Sequence, residues 1–200
     1  MELINKNPFN AYDGKIIEKD AVYLSQRELN AIQFKKIKLE RLEKIRDIFI
    51  FCCYTGYAPI DALSLTSDNL ITDSNYFSWI MTARAKTSIS SNVPILPPVQ
   101  EIIDKYKGRQ TGLIPRISNQ KMNQYLKELA LICKINKKLT WYTARHTFAT
   151  TVTLGNGVRI ENVSSMMGHT SILQTQHYAK ILDSSVKEDM LKLIKKYNGF

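Results

Sequence analysis

Apolar residues recur at helical spacing along most of this chain and alternate in only one short region. Leu42, Ile45, Ile48, Phe49, Cys52 and Cys53 define one buried helical face, which Thr55-Gly56 closes with a glycine turn. Upstream, Ser25 and Glu28 form a capping-box pattern, followed by Leu29, Ile32 and then Phe34 or Lys36 on later turns. That pattern predicts a helix over about residues 25–36. Pro59 can open a short helix, "PIDALSL", because proline is tolerated in a first turn. The texture then changes: "NYFSWIMTARA" alternates through Phe77, Trp79 and Met81 and reads as a strand. "NVPIL" reads as its hairpin partner across the polar turn 86–91, and "NLI" near 69–71 as a third strand. From Pro97 the helical period returns, with helices predicted at 97–106, 118–133, 143–154, 159–167 and 183–197. Glycines 108, 112, 155 and 157 break this run, and the last helix carries Val186, Met190, Leu193 and Ile194 on one face. The sum is an α+β domain, mainly helical, with a small three-stranded antiparallel sheet. Residues 1–20 are polar and turn-rich and read as a linker or arm, and no internal repeat is visible.

Two hundred residues suffice for one domain with a substantial core, and 44% apolar with 23% charged residues is ordinary for a globular chain. The charge balance changes the picture. Lys and Arg number 28 against 18 Asp and Glu, a formal +10, which favours a polyanionic partner, nucleic acid before an anionic membrane. Cys52, Cys53 and Cys133 sit in no C-x-x-C frame and read as buried thiols of a reducing compartment. The longest apolar run, residues 48–54, is too short to span a bilayer, and no charged leader with an apolar block opens the chain. A cytosolic protein is expected, and the sequon at Asn162 is a chance match.

Candidate chemistry begins in "TWYTARHTFATT", residues 140–151. With its helix starting near 143, Arg145 falls in a first turn, where a cation is mildly unfavourable and a local anion would explain it. Guanidinium fits two phosphate oxygens at once. His146, beside the apolar Phe148, is read as structural. Arg84 and Lys86 share one face at a strand's period of two, so both can point at one object. Tyr178 has an unperturbed pKa near about 10, so it can attack only where cations stabilise its oxyanion or a base takes its proton. A phosphate pocket supplies such cations, so a phosphodiester suits a tyrosine nucleophile better than a peptide does.

The order and spacing of these pieces resemble the tyrosine recombinases, the phage-type integrases, from about residue 22 onward. The family's first box is similar to "FCCYTGYAPIDALSLT" (51–66) and its strand lysine to Lys86. Its H-x-x-R-H box is similar to "YTARH" (142–146), and its L-G-H with a tyrosine nine residues later to Met167-Gly168-His169 and Tyr178. The resemblance implies a tyrosine recombinase catalytic-domain fold and a transesterification that needs neither metal nor ATP. Tyr178 would attack the scissile phosphate to give a 3′-phosphotyrosine and a free 5′-hydroxyl. Arg145 would clamp that phosphate, His169 would hydrogen-bond it, and Lys86 would be the general acid for the leaving oxygen.

Two positions depart from the family pattern. Its first arginine, expected directly after Thr55-Gly56-Tyr57, is Ala58, and the first histidine of the second box is Tyr142. A phenol can still donate one hydrogen bond to phosphate. The loss of an arginine is more serious, since one transition-state charge contact is worth roughly 3 kcal/mol. Three explanations of Ala58 stand side by side: another cation replaces the arginine, the site has decayed, or the residue was introduced. Integrases of mobile elements in Bacteroides-type bacteria, which this "CYTG-x-A" form resembles, lack the same arginine, and that resemblance favours Arg84 as the substitute.

The resemblance further implies that residues 1–20 join an N-terminal core-binding domain, leaving 21–200 as the catalytic domain. Its partners would be double-stranded DNA and other protomers in a synaptic tetramer, with no cofactor and no membrane. The setting would be the bacterial cytoplasm, at the nucleoid when acting. The last helix would dock on a neighbouring protomer or fold back on its own core. Rival readings are a DNA-binding relative with a decayed site, a type IB topoisomerase-like enzyme, and a basic helical interaction protein without nucleic-acid chemistry.

Overall fold

In the computed structural model, residues 21–179, 190–191 and 193–197 are described. The predicted linker 1–20 and residues 183–189 of the predicted last helix, Val186 included, lie outside them. Residues 190, 191 and 193–197 are helical, with Met190, Leu193 and Ile194 exposed.

The centre is α2 (Glu40–Thr55), buried on almost every side: Leu42, Ile45 and the whole run from Asp47 to Cys53 are inaccessible. A run this apolar over three turns cannot face water, so the chain wraps it. Helices α1 (Gln26–Gln33), α4 (Pro97–Tyr106), α5 (Asn119–Ile132) and α6 (Trp141–Thr147) all pack on it. Helix α1 has the expected capping box but stops at Gln33, leaving Phe34 72% exposed instead of on an inward turn. Helix α2 ends at Gly56 with φ +70°, and a Cβ there would lie 2.3 Å from the Phe148 ring. Glycine is required twice over, for conformation and for space.

Helix α3 (Pro59–Ser64) follows, then β1 (Leu70–Thr72), β2 (Ser78–Ile80) and β3 (Val93–Pro94), ordered β1-β2-β3 and antiparallel throughout. The three-stranded sheet is as expected. Ile80 is the fully buried residue of β2, whereas Phe77 and Met81 are exposed. Phe77 and Trp79 meet edge to face at 5.5 Å, and the Trp79 indole donates to Asp73. The aromatic side chains cover the outer face of a short ribbon, and one aliphatic side chain anchors it.

Helix α6 starts at Trp141, two residues before the predicted 143, because Thr140 accepts from the Thr143 N–H and Trp141 is itself buried. The chain then continues as a π-helix (Phe148–Thr153) and a 3₁₀ turn (Leu154–Asn156). Such widened turns occur mostly as short insertions near functional sites. Threonines on this helix hold the incoming chain: the Leu24 N–H donates to Thr147 Oγ1 at 3.0 Å, and Thr151 Oγ1 donates to the Leu24 carbonyl. Helices α7 (Ile160–Met166) and α8 (Leu173–Ala179) complete the described domain.

Candidate active site

Four of the six residues singled out in the sequence converge where α6, the β2–β3 hairpin, the turn after α7 and α8 meet. Arg145 lies in the second turn of α6, not the first, so the expected dipole conflict disappears. Its burial, 5% exposed, is what needs explaining. The guanidinium is held by backbone carbonyls: Nη1 donates to Gly56 at 2.5 Å and Nη2 to Met167 at 2.7 Å. It thus ties the end of α2 to the turn after α7. Burial and the nearby Arg84 cation lower its pKa to about 10, which leaves it charged at neutral pH.

Arg145 Nη2 also lies 3.0 Å from His169 Nε2. A guanidinium can only donate, so Nε2 is the acceptor and the ring proton sits on Nδ1, which donates to Thr175 Oγ1 at 2.8 Å. Burial, Arg145 and Arg84 push the His169 pKa down to about 4, so the ring is neutral. The preceding Gly168 has φ +59°, and a Cβ there would touch Arg84 and Ser91 at 3.3–3.4 Å. That absent side chain lets the arginine lie against the turn, where Arg84 Nη1 reaches toward the Gly168 carbonyl at 3.5 Å. Among the described residues, Arg84 Nε is buried without a hydrogen-bond partner.

Tyr178 is 7% exposed on α8, with its hydroxyl 3.2 Å from His146 Nδ1. Burial raises the phenol's pKa, and Arg145 and Arg84 act in the opposite direction. Thr175, one turn earlier on the same helix, is fully buried and couples α8 to His169.

Lys86 and Tyr142 do not join this cluster. The strand period ends before Lys86: the N–H groups of Thr87 and Ser88 both donate to the Arg84 carbonyl, so residues 85–87 form a turn. Arg84 therefore packs inward while Lys86 is exposed, and the two do not share a face. Among the described residues Lys86 has no hydrogen-bond or ion-pair partner. Tyr142 is 59% exposed on the first turn of α6, within electrostatic reach of Arg145. Ala58 caps the start of α3 and is buried.

Three contributors escaped sequence reading. His146, taken as structural, faces the Tyr178 hydroxyl; the signal was its position one turn after Tyr142. Asp61, 4% exposed, accepts from the Ala85 N–H at 2.9 Å and so anchors the link between Arg84 and Lys86. A carboxylate inside the apolar "PIDALSL" was its clue. Thr175 was visible only as a small polar residue three positions before the tyrosine.

A cavity of about 500 Å³ between Tyr54, Trp79, Phe148, Val152, Val158 and Met166 is lined by none of Arg84, Arg145, His169 or Tyr178. That cavity is therefore separate from the cationic cluster. No helix among the described residues is long and apolar enough to cross a membrane.

Residues 23–185 match the model of the phage integrase family. A tyrosine recombinase XerD of Staphylococcus epidermidis is 38% identical over 72 residues, 36% of this chain and 24% of that protein. A XerD of Halalkalibacterium halodurans gives the same identity over the same share of each chain. The chain thus spans about a quarter of the curated relatives it matches. Among solved structures, XerA recombinase is similar with a TM-score of 0.66 at 22% identity, over 88% of this chain and 66% of that one. A lambda integrase tetramer bound to a Holliday junction gives 0.68 at 15% identity, over 88% and 52%. The catalytic domain of bacteriophage HP1 integrase gives 0.57 at 19%, over 84% and 93%. The fold is that of a tyrosine recombinase catalytic domain.

Proposed function

The chain belongs to the phage integrase family, and from that premise we propose that it breaks and rejoins DNA strands through a 3′-phosphotyrosine formed on Tyr178. One observation carries the reading: two arginines, two histidines and a tyrosine meet in one partly buried cluster in which, among the described residues, neither guanidinium has a carboxylate hydrogen-bond or ion-pair partner. Cations gathered this way are costly unless an anion joins them. A phosphodiester supplies that anion.

In this mechanism Arg145 and Arg84 stabilise the charge that develops on the pentacoordinate phosphorus. Arg84 fills the role left by Ala58, and its unpartnered Nε–H is the group a phosphate oxygen would satisfy. Its packing against Gly168 and the anchoring of Ala85 by Asp61 support the assignment, since both fix the residue in place. Lys86, on the turn beside it, swings in as the acid for the leaving 5′-oxygen, and its exposure, with no hydrogen-bond or ion-pair partner among the described residues, supports that role. Tyr142 donates from the rim. His169 acts first through Arg145, whose guanidinium its Nε2 holds; to donate to phosphate its ring must exchange that contact.

The partners we propose are double-stranded DNA and further copies of the protein in a synaptic tetramer. The exposed apolar side chains of Met190, Leu193 and Ile194 support a helix that docks elsewhere. A preceding core-binding domain joined through residues 1–20, the bacterial cytoplasm as setting, independence from metal and ATP, and kinship with mobile elements of Bacteroides-type bacteria complete the proposal. XerD and lambda integrase, among the proteins it is similar to, are a recombinase and an integrase.

The test is the covalent intermediate. The protein is incubated with supercoiled plasmid, denatured rapidly and digested with nuclease, and the Tyr178 peptide is weighed. A nucleotide mass is expected that vanishes in Tyr178→Phe and in Arg84→Ala. An adduct that survives Arg84→Ala removes that residue from the mechanism. Ala58 favours a second reading, a DNA-binding relative with a decayed site. DNA binding without any adduct, in the full-length protein as well, would establish it, and relaxation without recombinant products would point to a topoisomerase-like enzyme.

A further inference from the structure

We propose that His146 is the general base of this site, its Nδ1 taking the phenolic proton of Tyr178 as the tyrosine attacks. The inference rests on the strand-breaking reading above and names the group that reading lacks. A tyrosine held above its ordinary pKa by burial has almost no phenolate at neutral pH, and arginines can stabilise an oxyanion but cannot accept a proton.

Geometry selects His146. Its Nδ1 lies 3.2 Å from the hydroxyl, within the reach required of a base, and among the described residues it is the phenol's sole hydrogen-bond partner. The two rings stand 5.5 Å apart at 47°, with the His177 ring 5.9 Å from Tyr178 on the same helix as the tyrosine. The alternative base, His169, is excluded by its bonds: its Nε2 lone pair already accepts from Arg145, and its Nδ1 carries the proton given to Thr175. Tyr142, where the family pattern has a histidine, is exposed and is itself a phenol.

The fold holds His146 firmly. The Thr140 cap sets the register of α6, and Thr150 Oγ1, inside the π-helix, donates to the His146 carbonyl at 2.7 Å. Adjacent residues on a helix point about 100° apart. Arg145 therefore reaches the carbonyls of Gly56 and Met167 while its neighbour faces α8. Burial, then His177 and Arg145, lower the His146 pKa, which keeps the ring neutral and able to accept.

The step balances. The Tyr178 O–H bond breaks toward Nδ1, the phenolic oxygen bonds to phosphorus, and the P–O5′ bond breaks. The leaving oxygen takes a proton from the Lys86 ammonium. On rejoining, the 5′-hydroxyl attacks phosphorus, its proton returns to Lys86, and the imidazolium of His146 protonates the departing phenolate.

Two measurements decide it. The chain has three histidines, so nitrogen NMR of the ¹⁵N-histidine protein can be assigned with single His→Gln variants. Near neutral pH, His146 should show an unprotonated Nδ1 whose signal shifts in Tyr178→Phe; a protonated Nδ1 overturns the proposal. In the plasmid adduct assay, His146→Gln should form the Tyr178 adduct about 10²-fold more slowly with DNA binding retained. Added imidazole should restore the rate of His146→Ala, a response no purely structural role gives. An adduct rate in His146→Gln within twofold of the parent sinks the base and spares the enzyme. No adduct in the parent, full-length protein included, sinks the strand-breaking reading and the base with it, whatever the tautomer.

Discussion

Two partly buried clusters of charge lie in this one domain, and they are built on opposite rules. On the α2–α4 side, Asp47 accepts from Arg46 at 2.8–2.9 Å, from Lys105 at 2.6 Å and from the Tyr106 hydroxyl at 2.9 Å. Glu43 takes Lys105 as well, at 2.8 Å, and Arg46 caps the Lys35 carbonyl. Every charge there has an opposite charge. On the α6–α8 side, Arg145 meets carbonyls and a neutral imidazole, and Arg84 keeps an N–H unpaired among the described residues. The nearby carboxylate, Asp61, is committed to the Ala85 N–H. Among the described residues, the chain pairs its cations with carboxylates in the first cluster and with carbonyls and imidazole in the second.

Breaking each cluster should therefore damage a different property. Asp47→Ala removes the acceptor shared by Arg46, Lys105 and Tyr106, leaving both cations to Glu43, and should cost about 3 kcal/mol of stability, lowering Tm by about 10 °C in a calorimetric scan. Arg145→Lys keeps a charge but cannot span two carbonyls and a phosphate. Adduct formation should fall by about 10²-fold, while Tm drops by about 5 °C for the buried carbonyl left unpaired, less than in Asp47→Ala.

The pH response sharpens the contrast further. The His169 pKa is about 4 in the fold and higher when unfolded, so the unfolded chain binds the extra proton first. Above the unfolded pKa His169 costs nothing; its penalty grows as pH falls toward 4 and is constant below. His169→Gln should therefore lose less Tm between pH 7 and 4 than the parent does. Gly168→Ala is the mildest lesion. A methyl at φ +59°, tight against Arg84, should slow adduct formation about tenfold with a loss of stability near 1 kcal/mol, read by denaturant titration.

Legibility in the sequence followed the range of the forces involved. Helix α4 begins and ends where Pro97 and the apolar spacing put it, because local stereochemistry and one buried face decide both. The grouping of Arg145, His169 and Tyr178 followed from motif order. The strand read over "NYFSWIMTARA" shrinks to the three residues of β2, with Ile80 buried and the Phe77 and Trp79 rings meeting edge to face. Lys86 was misplaced because a turn, closed by two bonds to the Arg84 carbonyl, interrupts a period that sequence alone extends indefinitely. The π-helix and the contact of His146 with Tyr178 depend on how α6 and α8 settle against each other, a long-range outcome without a local signature.

The threonine grip on Leu24 ties the front of the described chain to its central helices. Both backbone groups of that one residue are spoken for by hydroxyls four positions apart on the helix that carries Arg145 and His146. Shortening the chain from its front should be harmless through Val22, which is exposed, and abruptly damaging once Leu24 is removed. The break in tolerance would fall within two residues, and a nested set of truncations scored for soluble yield would locate it.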